Sequence, residues 1–159
     1  YFSTTTTVFN NHKMDPAVFK LRWTEACVLL DWSMALCASQ DDTGNYFIFG
    51  HHRRAASWRE PSVTAVMNRP TSKLTHFHMC AFGMRSPVDR RPIRKATTVL
   101  TNLPTAHQQL HGCYCKCTEQ HRTIEGCEGG TRLSTHAQIY PAEFCRAICS
   151  AIKDGLLRL

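Results

Sequence analysis

The sequence predicts an α/β domain in which amphipathic helices cover a mostly parallel sheet. Short apolar runs rich in aromatic and β-branched residues are typical of buried strands, and segments with helical apolar periodicity alternate with them. No internal repeat or long linker interrupts the 159 residues, so we expect one domain over 1–159. The apolar runs fall far short of the roughly 20 residues that span a bilayer, which predicts a protein without a membrane partner.

The first helix is predicted to begin at Asp15-Pro16, where an N-cap carboxylate precedes a proline at the first helical position. Residues 1–11 have no amphipathic period and predict a loop or edge. One apolar stripe follows at helical spacing: Phe19, Trp23, Cys27, Leu30, Met34 and Cys37. A second apolar set lies on another face: Leu21, Val28, Leu29, Trp32 and Leu36. We therefore expect this helix to be buried on both sides or to face a partner.

Three segments, 46–49, 74–79 and 97–101, are predicted strands. Between the first two, Ser57 and Glu60 have capping-box spacing and predict the start of a short helix. We expect six strand side chains to be mostly buried beneath the first helix. They are Phe47, Phe49, Leu74, Phe77, Val99 and Leu100.

The C-terminal part of the chain is predicted to hold two further helices. A short one covers 104–110, and the last one opens at Pro141 and stops near Gly155. Its apolar stripe contains Phe144, Ala147, Ile148, Ala151 and Ile152. The Cys-, His- and Gly-rich segment 111–130 between these helices predicts a loop.

Charge and cysteine content bear on partners and location. Lys and Arg number 19 against 12 Asp and Glu, and the formal net charge of +7 favours polyanionic partners such as DNA or RNA. Nine cysteines is an odd number, and no secretory leader is visible, so we expect a reducing, intracellular location, nuclear or cytoplasmic. Because the sequence opens with Tyr1 rather than Met, we expect it to begin inside a longer reading frame.

The densest set of potential metal ligands lies in the 111–130 loop. It comprises Cys113, Cys115, Cys117, His121 and Cys127. Zn²⁺ takes four Cys or His ligands tetrahedrally, and loop residues at such spacings can close on it. Zinc is therefore a candidate cofactor, with free loop thiols and a local disulfide as the alternatives. Five other cysteines, Cys27, Cys37, Cys80, Cys145 and Cys149, are interpreted as small core residues.

Two basic segments are candidate nucleic-acid contacts. The first contains Arg85, Arg90, Arg91, Arg94 and Lys95, and the second contains Arg53 and Arg54. Guanidinium groups can hold phosphates in a bidentate fork, and such contacts set affinity rather than sequence preference. The alternative for both segments is a solvated surface loop.

Several short motifs also share their order with a known family. They are Phe2-Ser3; 49–58 with Ala55, Ser57 and Trp58; Cys80-Ala81-Phe82-Gly83 with Pro92-Ile93-Arg94-Lys95 and 98–102; and His121, Gly126, Tyr140-Pro141 and Cys145. Together they resemble the methyltransferase-like domains related to cytosine-5 DNA methyltransferases, in the divergent form found in mobile-element (retrotransposon) polyproteins and some phage proteins. The resemblance runs through nearly the whole chain.

This resemblance implies an incomplete α/β domain, a fragment of a Rossmann-like methyltransferase sheet with flanking helices. It places the nucleophilic cysteine and the Gly-rich cofactor turn before Tyr1, so S-adenosylmethionine would bind only with upstream sequence present. The family's catalytic glutamate position falls on Gly50. Methyl transfer to cytosine needs a thiolate, a carboxylic acid and the bound cofactor. We therefore expect no catalytic residue, and no methyl transfer, in this chain alone.

The resulting functional expectation is an inactive or truncated DNA methyltransferase-like domain of a mobile-element polyprotein that binds DNA or RNA. The alternative is a non-enzymatic, zinc-stabilised module that binds nucleic acid or protein. A third alternative is a segment that folds only within a larger polyprotein. The sequence leaves the natural ligand and the oligomeric state open.

Overall fold

A computed structural model describes residues 15–124, 126–128 and 131–157 of this protein. Its helices are α1 (Pro16–Asp42), α2 (Pro61–Met67), α3 (Pro104–Leu110), α4 (Leu133–His136) and α5 (Ala142–Leu156), and its strands are β1 (Ile48–His52), β2 (Lys73–His78), β3 (Ala96–Thr101), β4 (Cys127–Glu128) and β5 (Thr131–Arg132). The mixed α/β class is confirmed. Within the described residues, no helix is both long and apolar enough to cross a bilayer. The predictions for 1–11, including Phe2-Ser3, lie outside the described residues.

The described chain forms two compact units. The first comprises 15–74 and 99–102, and the second comprises 75–98 and the described residues from 103 to 157. Strand β3 contributes residues to both. Because compact units of this size occur within one domain as well as in two, the single-domain expectation stays a prediction.

The three-stranded sheet has the order β1-β3-β2 and is antiparallel. Met79 N–H donates to the carbonyl of Lys95 at 3.0 Å, and His76 Nδ1 lies 2.8 Å from Thr98 Oγ1. Residue numbers therefore fall along β3 as they rise along β2, and the predicted parallel sheet is wrong. Parallel neighbours need a long crossover, usually a helix, whereas a 3₁₀ turn and an irregular loop connect β2 to β3.

Helix α1 begins as predicted. Asp15 Oδ1 accepts hydrogen bonds from the N–H groups of Ala17 and Val18 at 2.9 and 3.1 Å. From Leu30 onward one face of α1 is buried, which confirms that part of the first apolar stripe. The core of the first unit contains Leu30, Met34, Cys37, Phe47, Val63, Val66 and Leu100. The second apolar set is exposed, so α1 is not buried on both sides within the described structure.

The expected burial of the strand side chains is confirmed, but their expected position beneath α1 is wrong for Phe77, which packs on Phe82 and Phe144. One strand also lies two residues later than predicted. Four of the six side chains are buried and two, Phe49 and Leu74, are half-buried. β1 runs through Gly50 to His52, a stretch that the sequence had indicated to be a loop. Phe47 precedes the strand, and its N–H donates a hydrogen bond to the side chain of Asn102, at Oδ1, over 2.8 Å.

A polar network around Asp41 closes the first unit. Asp41 Oδ2 accepts from Arg69 Nε at 2.5 Å and from Thr71 Oγ1 at 2.9 Å, while Oδ1 accepts from Asn102 Nδ2 at 2.9 Å. Burial acts to raise the pKa of Asp41, but these three hydrogen bonds and the Arg69 charge outweigh it and lower that pKa. The carboxylate thus joins the end of α1 to the loop before β2 and to the end of β3.

Aromatic rings form part of the core of the second unit. Phe77 of β2 stacks on Phe144 of α5 with centroids 5.4 Å apart, and Phe82 meets both rings edge-on. Pairs in these geometries add to the free energy of burial itself. The predicted inward stripe of the last helix is confirmed at Phe144 and Ala151.

Gly155 lies inside α5 rather than at its end, because the helix continues to Leu156. A Cβ at this position would overlap Leu103 Cδ1 and lie 3.2 Å from Thr105 Oγ1. The same Thr105 hydroxyl donates to the carbonyl of Ala151 at 2.6 Å. Gly155 therefore allows α5 to approach the start of α3. The helix ends one residue after Gly155, close to the predicted position, but the glycine lies inside the helix and is not the residue that ends it.

Candidate metal centre

Four potential metal ligands from two distant segments converge in the second unit. They are Cys80, Cys115, Cys117 and His121. Cys80 lies on the 3₁₀ turn Met79–Phe82 that follows β2, and the other three lie after α3. His78 joins the two segments, since its N–H donates to the carbonyl of Cys113 at 3.0 Å and its Nδ1 accepts from Cys115 N–H at 3.1 Å.

The ligand atoms of these side chains all lie within 4.8 Å of one another. Cys115 Sγ is 3.1 Å from His121 Nε2 and accepts a hydrogen bond from Cys117 N–H at 3.4 Å. A tetrahedral Zn²⁺ that holds thiolates at about 2.3 Å separates them by about 3.8 Å. The observed spacing is therefore of the size that one such ion requires.

The three thiols of the cluster differ in pKa. Burial, together with the neighbouring Cys115 and Cys117, raises the pKa of Cys80 to about 12. The hydrogen bond from Cys117 N–H lowers the pKa of Cys115, and the positive charge of Arg94 lowers it further. The pKa of Cys117 is raised, chiefly by burial. Cys115 is therefore the thiol that most readily becomes a thiolate.

The donor set fits a structural zinc ion. Three thiolates and one imidazole satisfy four coordination positions, so no position is left open for a substrate. Soft sulfur ligands also favour zinc over hard cations such as Mg²⁺ or Ca²⁺. Cys80 is 8% exposed and the other three ligands are half-buried, so water has limited access.

Three of the five predicted ligands belong to this cluster, and two do not. The Sγ of Cys113 donates to the carbonyl of Gln109 at 3.4 Å, and Cys127 is exposed on β4. Cys80 takes the fourth place, although the sequence indicated a core residue. It is buried as expected, but its thiol faces other ligands. Its position directly after a predicted strand was the available signal.

The other cysteines are placed differently along the chain. Cys37 is buried in the core of the first unit, in line with its interpretation, whereas Cys27 is half-buried and does not belong to that core. Cys145 and Cys149 are exposed on α5, so their interpretation as core residues is wrong. The apolar stripe of α5 faces inward through Phe144, and two helical turns later through Ala151, which leaves these two thiols outside it.

The basic loop before β3 is folded back on itself. Arg85 and Pro92 form an antiparallel bridge, and Ser86 N–H donates to the carbonyl of Arg91 at 2.9 Å. Arg85 pairs with Glu119 at 3.1 Å. Arg91 Nε pairs with Asp89 at 2.6 Å and, by this hydrogen bond chiefly, lowers the pKa of that carboxyl to about 2.

Lys95 is the least available of the predicted phosphate contacts. Its Nζ donates to the carbonyl of Ala137 at 2.7 Å and lies 5.4 Å from the ring centre of Tyr140, and burial lowers its pKa. Arg90 and Arg94 are exposed. Of the five basic side chains in this segment, these two are exposed and take no part in the ion pairs described above.

The segment 49–58 contains one of the motifs that resemble methyltransferase-like domains, and it contains the second basic segment, Arg53 and Arg54. Gly50 is exposed on β1, and a Cβ there would make an ordinary contact with Val99 at 3.6 Å. Arg53 and Arg54 are exposed in the turn after β1. Ser57 does not cap α2, which begins at Pro61, because its hydroxyl lies buried 2.5 Å from His51 Nδ1.

Comparison with known proteins adds no further assignment. Neither a protein-family model, nor a curated protein, nor a solved structure matches this chain. The resemblance to methyltransferase-like domains therefore stays a prediction. The four converging side chains are the observation from which function has to be argued.

Proposed function

We propose that this chain is a non-enzymatic module in which Cys80, Cys115, Cys117 and His121 hold one structural Zn²⁺, and which binds nucleic acid through its basic surface. The convergence of these four ligand atoms within 4.8 Å carries the proposal. A closed Cys₃His set supports a structural ion rather than a catalytic one.

The architecture around the cluster supports a stabilising role. Residues 111–124 contain no helix or strand, so few backbone hydrogen bonds fix this segment. A metal ion would link it to the end of β2 through Cys80. Since ligands that converge only on folding couple metal binding to stability, such a link raises the free energy of unfolding.

Metal content of the purified chain tests the first part of the proposal. Protein purified without chelator should contain about one zinc per chain, and Cys117→Ser should lose it. Cys113→Ser and Cys127→Ser are matched controls, because each removes a nearby thiol that lies outside the cluster. Loss of zinc in the controls but not in Cys117→Ser, or no zinc in the wild type, contradicts the site.

The exposed guanidinium groups support the second part. Arg90 and Arg94 extend from the loop that precedes β3, and the chain as a whole carries a formal charge of +7. Arg94 also acts electrostatically on Cys115. Exposed guanidinium groups attract phosphates by charge rather than by base identity.

Salt-dependent binding to a duplex of arbitrary sequence tests this second part. Arg90→Asn with Arg94→Gln should weaken binding and reduce the log–log salt slope by about 0.9 for each phosphate that the variant no longer neutralises. Asn is chosen because residue 90 has a φ of 59°, which Asn tolerates. Arg146→Gln with Lys153→Gln removes equal charge from α5 as a control. Equal slopes for the two double variants would remove the loop as a binding site.

The methyltransferase-like interpretation stays a separate prediction. The antiparallel sheet lends it no support, since the resemblance implied a parallel, Rossmann-like sheet. Purified chain with S-adenosylmethionine and DNA should give no methylated cytosine. Methylation above background would contradict the non-enzymatic proposal.

A further inference from the structure

Helix α1 carries an apolar stripe that nothing within the described structure covers. We call it the outer stripe: Val18, Leu21, Val28, Leu29, Trp32 and Leu36. Its side chains are between 42% and 64% exposed, with Trp32 the most exposed. At 3.6 residues per turn they fall within an arc of about 100°, on the side of the helix opposite Leu30, Met34 and Cys37.

The stability of the first half of α1 depends on covering this stripe more than the stability of the second half does. Buried side chains of the helix begin at Leu30, and in the described range 16–29 none is buried. Isolated helical segments of this length are marginal in water, and helices in proteins gain most of their stability from a packed face. A covering partner would therefore stabilise 16–29.

The size of the outer stripe suits a pair of identical chains. Exposed fractions of this magnitude leave roughly 600 Å² of apolar surface on one helix, the upper end of the largest patch on a typical monomer. Two copies that cover each other's stripe would bury about 1,200 Å² together, the lower limit for a specific interface.

Two charged residues bear on the orientation of the two copies. Glu25 lies within the arc of the stripe, and Arg22 lies at its edge. Parallel, in-register helices would place the two Glu25 carboxylates side by side. An antiparallel pair centred on residue 27 offsets the two carboxylates by four residues, about 6 Å along the axis. It places Val18 opposite the partner's Leu36 and Arg22 opposite the partner's Trp32, where a cation over an indole ring is favourable. Glu25 then faces the partner's Leu29, which weakens the interface and makes this position informative.

We propose that the chain forms a two-fold dimer through antiparallel packing of the outer stripes of α1. This interface is independent of the metal centre, which lies in the other compact unit. It requires no rearrangement of the buried face of α1, because the two faces point in opposite directions.

Equilibrium sedimentation of the full chain at several concentrations tests the dimer. We expect reversible dimerisation, and Leu21→Glu with Trp32→Glu should raise the dimer Kd by at least about 100-fold. Ile139→Glu, at a site that is 70% exposed outside α1, should leave the Kd unchanged. Circular dichroism checks that both variants keep their helices.

Substitution of Glu25 should change the dimer Kd in the opposite direction. Glu25→Leu removes a charge from the stripe and should lower the Kd, whereas Arg22→Glu should raise it several-fold by removing the cation from the partner's indole. A chain that stays monomeric at 100 μM overturns the proposal, as does a dimer insensitive to both stripe substitutions. Binding of such a monomer to lipid vesicles instead would assign the stripe to a membrane surface.

Discussion

The two compact units of this protein are stabilised by different chemistry. In the first unit, α1 buries Leu30 and Met34 in an apolar core, and Asp41 closes the unit with hydrogen bonds that need no added ligand. The second unit combines an aromatic core with a segment, 111–124, that lacks regular structure and supplies three of four side chains that could hold a metal ion. Where backbone hydrogen bonds are few, side-chain coordination can substitute for them.

The largest expected difference between the units is the pH dependence of metal binding, which concerns the second unit. Every thiol that binds a metal must first lose its proton, so the apparent affinity should fall by up to about tenfold per pH unit for each protonated ligand. Burial raises the pKa of Cys80 to about 12, which makes its proton the hardest to displace. Competition with a chromophoric chelator between pH 8 and 6 measures this effect.

Removal of the metal should act on one unit and spare the other. Chelator should abolish hydrogen-exchange protection around Cys80 and Cys115 while protection around Leu30 and Met34 persists. A flat pH profile of metal affinity, or equal loss of protection in both units, would show that the units do not differ in this way.

The charged network of the first unit should produce the next largest effect. Asp41→Asn removes the charge that Arg69, Thr71 and Asn102 share, and it should lower the free energy of unfolding by about 2 to 3 kcal/mol. Asp41 is 7% exposed, whereas its neighbour Asp42 is 64% exposed. Asp42→Asn is therefore the matched control and should change the free energy of unfolding by less than about 1 kcal/mol.

The pH dependence of this network has a definite sign. The pKa of Asp41 in the folded protein lies below its ordinary value of 3.8. Its stabilisation is therefore complete above that ordinary value and is lost as the pH falls through the lowered one. Urea unfolding of wild type and Asp41→Asn should converge at strongly acidic pH. A difference that stays constant down to pH 2 would contradict a role for the ionised carboxylate.

A smaller effect is expected where α5 meets the start of α3. Gly155→Ala adds a methyl group that must displace Leu103, and overpacking of this kind costs about 1 to 3 kcal/mol in the free energy of unfolding. The higher helix propensity of alanine acts in the other direction. Thermal unfolding of Gly155→Ala beside Ser150→Ala, an exposed position of the same helix, separates the two contributions. A stabilised Gly155→Ala would show that Leu103 yields without loss.

Local chemistry made part of the fold predictable. The Asp15-Pro16 start of α1 follows from capping by the nearest residues, and the strand core follows from apolar composition over a few positions. Strand direction was not predictable in the same way, because the pairing of 76 with 98 joins residues far apart in sequence. A pattern of alternating helices and strands does not state which strands are neighbours.

The candidate site was also predictable only where its residues are close in sequence. Cys115, Cys117 and His121 are close in sequence, so their spacing alone indicated a metal ligand set. Cys80 precedes Cys115 by 35 residues, and the two segments meet through the hydrogen bonds of His78 with Cys113 and Cys115. A cysteine in an apolar core and a cysteine that binds a metal are both buried, so expected burial does not distinguish them in the sequence.

The discontinuity of the first unit has a consequence for synthesis of the chain. Residues 15–74 emerge from the ribosome before 99–102, which supply Leu100 to the core and Asn102 to the Asp41 network. At typical elongation rates this interval lasts roughly 1 to 6 seconds. During it, the core of the first unit still lacks Leu100 and the Asp41 network still lacks Asn102, so this unit completes its packing only after β3 has emerged.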